Sequence, residues 1–251
     1  MLFLRCRCFM QYSSCTRFIS LRLYRINNCG KNSISQLLSA MATNDTAPKA
    51  SGVRAYSAKF EKEEEIARGK WLSLNNITYR DPTGKERLWE SVKRTTRHSG
   101  SADAVGVIAI LKRMLKFDCI VLVVQYRPPM QCCTVEFPAG LVDEGESPEV
   151  AALRELYEET GYTASVKHVA PASCLDPGIG NTTVQLVTVE IDGNDEKNVN
   201  PKQKTDESEF IEVVLIPLED LLERLDEYSR TGHSVDSRVY SYALGLQPRI
   251  S

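Results

Sequence analysis

Three glutamates, Glu155, Glu158 and Glu159, stand at i, i+3 and i+4 in the stretch GLVDEGESPEVAALRELYEETGY, residues 140–162. On a helix that spacing gathers the three carboxylates on one side, with Leu153, Leu156 and Tyr157 on the other. Like charges so arranged destabilise a helix by roughly 0.2–0.5 kcal/mol per pair, and these lie near the negative end of the helix dipole. Within the helix, only Arg154, four positions before Glu158, offsets that charge. A hard divalent cation, which takes oxygen ligands, would neutralise the cluster. A solvated acidic face is the competing reading.

The flanking residues say where this helix begins and ends. Ser147 is a good N-cap, Pro148 suits the first helical position, where no N–H is needed, and Glu149 to Thr160 continue the helix. Gly161 stands where a left-handed C-terminal stop is wanted.

The elements around it mix strands and helices. Glu61–Glu65 reads as a short solvated helix or the start of a strand. Trp71–Tyr79 and Leu88–Thr96 alternate loosely about the turn signal Asp81–Lys85, which predicts a β-hairpin. A lone hairpin is marginal, so residues 58–99 are expected to form a small N-terminal β element that docks on a partner subunit or on the main domain, residues 100–251. In that domain Val105–Leu111, Ile120–Gln125, Thr134–Phe137, Val184–Ile191 and Phe210–Ile216 read as strands, with Val187, Val189 and Ile191 on one face. Pro217–Tyr228 and Val235–Leu244 read as amphipathic helices. Asp192–Glu209 is too long and polar for a mere connector. Without βαβ regularity, the fold class is α+β.

Composition narrows the partners. The chain has 251 residues and a formal net charge of −2. Residues 1–44 carry +6 and no acid, while the remainder has 25 basic against 33 acidic residues, a net −8. An acidic body argues against nucleic-acid binding, which wants a basic face. Residues 1–57 read as a disordered leader and linker. The arginine-rich, acid-free leader has the composition of a mitochondrial transit peptide, and its arginines interrupt the apolar runs, so no membrane span is expected. Met41 opens an alternative start, which would give a cytoplasmic and nuclear form. Four of the eight cysteines lie in the leader; Cys119, Cys132, Cys133 and Cys174 have no CxxC or histidine spacing and are expected to be reduced, mostly buried thiols.

Gly140, five residues, Glu146, seven residues, then RELYEETGY reproduces every fixed position of the Nudix box. The chain therefore resembles the Nudix hydrolases. QYRPP, EFPAG, LDPG, SRVYSYAL and the hairpin sequence Gly69–Arg97 are similar to their ADP-ribose/ADP-sugar pyrophosphatase branch, over about residues 66–247.

That resemblance implies a mixed β-sheet sandwiched between helices, and a homodimer whose active sites draw on both chains. It implies Mg²⁺, or Mn²⁺, held by Glu155, Glu159, the Ala139 carbonyl and Glu209, with Glu158 close by and Arg154 orienting a glutamate. Glu209 ranks first as general base and Glu158 second. Trp71 and Trp89, otherwise candidates for core anchors, would sandwich adenine, one from each subunit. Glu90 would accept from the adenine amino group, Arg94 would reach the phosphates, and Arg127, ahead of two prolines, would offer its fork to a diphosphate rather than form a surface ion pair. Asp176 either touches ribose or caps a turn. His98, His168 and His233 fall in no motif. The implied reaction splits ADP-ribose and related ADP-sugars to AMP and a sugar phosphate. Hydrolysis of oxidised nucleoside diphosphates such as 8-oxo-dGDP, and a non-catalytic nucleotide-binding module, are the alternatives.

Overall fold

The hairpin at residues 71–96 forms as two paired strands, β2 (Leu72–Arg80) and β3 (Glu86–Arg94), turning through Asp81–Lys85. The Asp81 carboxylate closes that turn, accepting from the N–H groups of Thr83 and Lys85 and from Arg87. The run Glu61–Glu65 lies inside a third strand, β1 (Lys59–Arg68), antiparallel to β2, so the sheet order is β1-β2-β3. The computed structural model describes residues 57–96 and 102–247, all within one unit by their contacts. The leader, its cysteines, most of the linker, His98 and most of the break at residues 99–102 lie outside the described residues.

The remaining strands are β4 (Ala104–Lys112), β5 (Cys119–Arg127), β6 (Cys132–Glu136), β7 (Ala139–Leu141), β8 (Ser165–Val169), β9 (Ser173–Cys174), β10 (Thr183–Asp192), β11 (Ile211–Pro217) and β12 (Ser234–Val235). The helices are α1 (Pro148–Thr160), α2 (Glu196–Val199), α3 (Leu221–Arg230) and α4 (Ser237–Leu246). The main path runs β12-β6-β5-β4-β10-β8, with β7 on the first half of β4, β11 on β5 and β9 on β10. The β4–β10 and β6–β12 pairs are parallel and the others antiparallel, a mixed sheet as expected.

Period-two alternation gives this sheet two apolar faces. Val105, Val107, Ala109, Leu111, Val187, Val189 and Ile191 pack with Ala151, Ala152 and Leu156 of α1. Ile108, Ile120, Leu122, Val124, Val135 and Phe137 pack on the opposite face with Leu221 and Leu225 of α3 and Val239 and Ala243 of α4. Full burial of a side chain such as Leu156 contributes about 1.5–3 kcal/mol. The sheet is thus sandwiched between α1 and the α3–α4 pair.

Several boundaries differ from the sequence reading. The helix expected from Pro217 begins at Leu221, because Pro217 still belongs to β11, pairing with Cys119 on an edge strand where a missing N–H is tolerated. The last helix begins at Ser237, capped by Asp236, whose carboxylate accepts the Arg238 N–H; Ser234 and Val235 instead pair with Thr134 and Val135. The short strands β7, β8, β9 and β12 escaped notice because two to five residues display too little alternation. Among the body cysteines, all free, only Cys119 is buried; Cys132 and Cys133 are half-buried and Cys174 is exposed, so the expectation of mostly buried thiols fails.

Candidate active site

Helix α1 carries Glu155, Glu158 and Glu159, and its ends form as the sequence reading expects. The Ser147 hydroxyl accepts the Val150 N–H, and Gly161 takes φ 76°. At Gly161 a Cβ would lie 2.4 Å from the Lys202 backbone nitrogen, so glycine serves both the turn and a close chain crossing. That crossing belongs to the polar segment after β10. Lys204 N–H donates to the Glu158 carbonyl at 2.8 Å, and the Gln203 amide donates to the carbonyls of Glu159 and Ile211. The segment thereby satisfies carbonyls that a helix end leaves open, and carries Glu209 towards the acidic face.

The acidic face is not solvated throughout. Glu159 is 5 % exposed, and its carboxylate accepts a hydrogen bond from the Ala139 N–H at 3.1 Å. Burial pushes its pKa up to about 8, reinforced by the charges of Glu155 and Glu209. Glu155 is raised as well, by burial first, against the pull of Arg154. Its carboxylate rests on the backbone of Gly140, where a Cβ would lie 1.9 Å from Oε1. A side chain there would push that carboxylate aside, so this glycine serves a contact and not a turn.

Arg154 ties the helix to the preceding loop. Nε and Nη2 donate to the two Glu146 oxygens at 3.0 and 2.9 Å, Nη1 donates to Glu155 at 2.8 Å and Glu158 at 3.2 Å, and Nη2 also reaches the Leu141 carbonyl. The Glu146 carboxyl is held below its ordinary pKa chiefly by the Arg154 hydrogen bonds. One guanidinium thus orients three carboxylates.

Could these residues hold a divalent cation? Among the described residues no three His, Cys, Asp or Glu side chains are arranged to hold a metal by themselves. The donors that fit are therefore an open oxygen set: Glu155 and Glu159, the adjoining Ala139 carbonyl, and Glu209, with water completing the shell. Hard cations such as Mg²⁺ keep several waters and suit that chemistry. Glu159 supports the fit, since it is a buried carboxylate with no ion-pair partner among the described residues. Glu209 is exposed and also caps its own turn, accepting the Asp206 N–H at 3.2 Å.

Arg127 does form an ion pair. Nε and Nη2 each donate to Glu136 at 2.8 Å, and Glu136 is 8 % exposed. Burial alone would raise the Glu136 carboxyl, but hydrogen bonds from Arg127 and Thr134 hold it below its ordinary range. The charges of Glu159 and Glu209 also reach Arg127, which locates it beside the cluster. Glu136 escaped the sequence reading as a partner: Arg127 lies opposite Cys132 and Glu136 opposite Val123, so the two share a face four positions apart and the long arginine side chain spans the gap.

The N-terminal sheet reaches this domain through the Asp176–Gly180 turn. Trp89 Nε1–H donates to the Gly178 carbonyl at 3.0 Å, and Val92 N–H to the Ile179 carbonyl at 2.8 Å. Asp176 caps that turn, accepting from the Gly178 N–H. Arg94 lines a small cavity with Asp103, Leu141, Val142 and Asp143, next to the loop that Arg154 holds. Glu90 is exposed.

Neither tryptophan is a core anchor: Trp71 is 59 % and Trp89 48 % exposed. Trp89 lies opposite Ile77, whereas the Trp71 carbonyl accepts from Thr95. Six residues of strand separate those points, about 20 Å at the rise of a β-strand. One chain does not bring the two indoles to either side of one base. His168 is exposed and His233 packs edge-on to Tyr228, both outside the cluster.

The NUDIX domain family model matches residues 100–235. The chain is 53 % identical to the ADP-sugar pyrophosphatase of Mus musculus over 186 residues, covering 74 % of this chain and 85 % of that protein. It is 42 % identical to the ADP-ribose pyrophosphatase of Saccharomyces cerevisiae, covering 73 % and 80 % respectively. It is 34 % identical to the ADP-ribose pyrophosphatase of Bacillus subtilis, covering 78 % of this chain and all of that one. The crystal structure of an ADP compounds hydrolase superposes with a TM-score of 0.54 at 19 % identity, covering 74 % of this chain and 90 % of that one, a likeness of fold.

Proposed function

The chain belongs to the Nudix hydrolase family, and from that premise we propose that it hydrolyses the pyrophosphate bond of ADP-ribose and related ADP-sugars, giving AMP and a sugar phosphate. The names of its relatives, ADP-sugar and ADP-ribose pyrophosphatase, support the substrate class. Nudix hydrolases use divalent cations, and the oxygen donor set favours Mg²⁺, with Mn²⁺ as a substitute. The observation that carries the reading is Glu159, a buried carboxylate without an ion-pair partner among the described residues, raised to about 8 beside Glu155 and Glu209.

Hydrolysis here is an in-line displacement at phosphorus, with charge growing on the non-bridging and leaving oxygens. A divalent cation, when bound, screens those oxygens and lowers the pKa of the attacking water. Glu155, Glu159, the Ala139 carbonyl and Glu209 would hold it. Arg154 keeps Glu155 and Glu158 aimed by charge-assisted hydrogen bonds. Glu209, on the polar segment tethered through Gln203 and Lys204, takes the water's proton, with Glu158 as second candidate. Arg127, its orientation fixed by Glu136, and Arg94 bind the diphosphate.

The protein acts as a homodimer in this reading. The N-terminal sheet buries Ser73, Asn75, Thr78 and Ser91 and leaves Phe60, Ile66, Trp71, Leu72 and Leu88 exposed, apolar area that a partner subunit would cover. A second copy covering it would bring Trp71 of one chain towards Trp89 of the other, which the separation of the two within one chain favours.

Product analysis tests the activity. ADP-ribose with Mg²⁺ should yield equal amounts of AMP and ribose 5-phosphate, resolved by anion-exchange chromatography. Faster turnover of 8-oxo-dGDP, or no turnover of either, would count against the assignment.

A further inference from the structure

Beside the C-terminal end of α1, on the side occupied by the polar segment, lies a second cavity, of about 380 Å³, lined by Tyr157, Gly161, Thr163, Lys197, Asn200, Lys202 and Lys204. Three lysines line this one concavity, and no Asp or Glu is among its lining residues. None of the three lysines forms an ion pair among the described residues; the contact found is Lys204 Nζ, 5.0 Å from the centre of the Tyr157 ring.

Lysines near a helix C-terminus ordinarily answer its open carbonyls. Three of those carbonyls are already taken. Tyr157 O accepts the Gly161 N–H, Glu158 O the Lys204 N–H, and Glu159 O the Gln203 amide. The Thr163 hydroxyl is likewise committed, to buried Asn198. The three lysine side chains are therefore spare donors, exposed on a body whose net charge is negative.

We infer that this cavity is a second anion site, separate from the acidic cluster, which takes the phosphate group of a small molecule. Lysine ammoniums bind phosphate as movable point charges, and the cavity has room for more than the phosphate itself, so both inorganic phosphate and a phosphate monoester such as AMP fit its chemistry. Its two walls are the end of α1 and residues 197–204, the segment that continues to Glu209. An anion bridging Lys197, Lys202 and Lys204 clamps that segment against α1 and so biases the position of Glu209. Effector sites coupled in this way shift the partner equilibrium by about 5–150-fold.

Amide hydrogen exchange on the full-length protein, without divalent cations, tests it. Inorganic phosphate, AMP and chloride matched for ionic strength are compared at millimolar concentration, since exchange reports local opening of such segments. Residues 200–209 should exchange roughly tenfold more slowly with phosphate than with chloride. The protection should vanish in the Lys197→Gln/Lys202→Gln/Lys204→Gln variant, persist in Lys202→Arg, and persist in Arg127→Ala. If AMP protects and inorganic phosphate does not, the ligand is the monoester; if both protect, the phosphate group suffices. Absence of protection with either anion would overturn the inference. So would equal protection in the triple variant, or loss of it in Arg127→Ala, which would assign the effect to the catalytic site. Should the triple variant not fold, Lys202→Gln/Lys204→Gln carries the same expectation.

Discussion

The carboxylate of Glu159 accepts a hydrogen bond from the backbone N–H of Ala139 at 3.1 Å, so the last turn of α1 and the start of β7 meet at one point although twenty residues apart. Everything proposed for the chemistry converges there: Ala139 turns its backbone to the helix, Gly140 leaves space for Glu155, and the intervening loop is pinned by Arg154.

Glu155→Gln should lower kcat for ADP-ribose by at least about a hundredfold, the scale on which loss of a charge-stabilising group acts in catalysis, with an unchanged circular dichroism spectrum. Near-normal turnover would remove Glu155 from the chemistry.

Gly140→Ala probes the contact instead of the charge. A methyl group 1.9 Å from Glu155 Oε1 must displace that carboxylate. The expected result is a folded protein with weakened divalent-cation binding by calorimetry; unchanged affinity would show that Glu155 need not rest on the Gly140 backbone.

Arg154→Ala leaves Glu146, Glu155 and Glu158 without their shared donor. Hydrogen bonds to charged groups contribute about 1.5–3 kcal/mol each, less where solvent screens them. A loss of roughly 2 kcal/mol is expected in urea denaturation. Arg154→Lys should recover little of it, because a point charge does not replace the fork.

The Arg127–Glu136 pair sets a pH dependence. The Glu136 carboxyl is held below its ordinary value, so the folded state loses protons more readily than the unfolded chain. Its stabilising contribution is present above the unfolded value of about 4.5 and is lost as pH falls through the lower folded value. Thermal denaturation should therefore show a steeper fall in Tm below pH 5 for the native protein than for Glu136→Gln. Parallel curves would contradict the pairing.

Much of this was legible in the sequence, for physical reasons that differ by element. The α1 boundaries follow from Ser147, Pro148 and Gly161, whose roles are local. The hairpin turn follows from Asp81 and Gly84, the latter at φ 87°. The pairing of Arg127 with Glu136 was not legible, since it depends on two strands lying side by side, and neither was the burial of Glu159, which requires β7 to fold over the helix. The 20 Å separation of Trp71 and Trp89 rests on strand register, which the sequence pattern leaves open. Pro217 misled because a residue that often opens helices also suits an edge strand.

The central claim is that the α1 carboxylates are gathered to bind a divalent cation. The most direct measurement is isothermal titration of Mn²⁺ into the native protein, into Glu155→Gln and into Glu159→Gln at pH 8, where the Glu159 proton at about 8 is readily displaced. The account predicts binding by the native protein, weakened by about 10–100-fold or more in each variant. Equal affinity in all three proteins, or no binding by the native protein at millimolar cation, would contradict it.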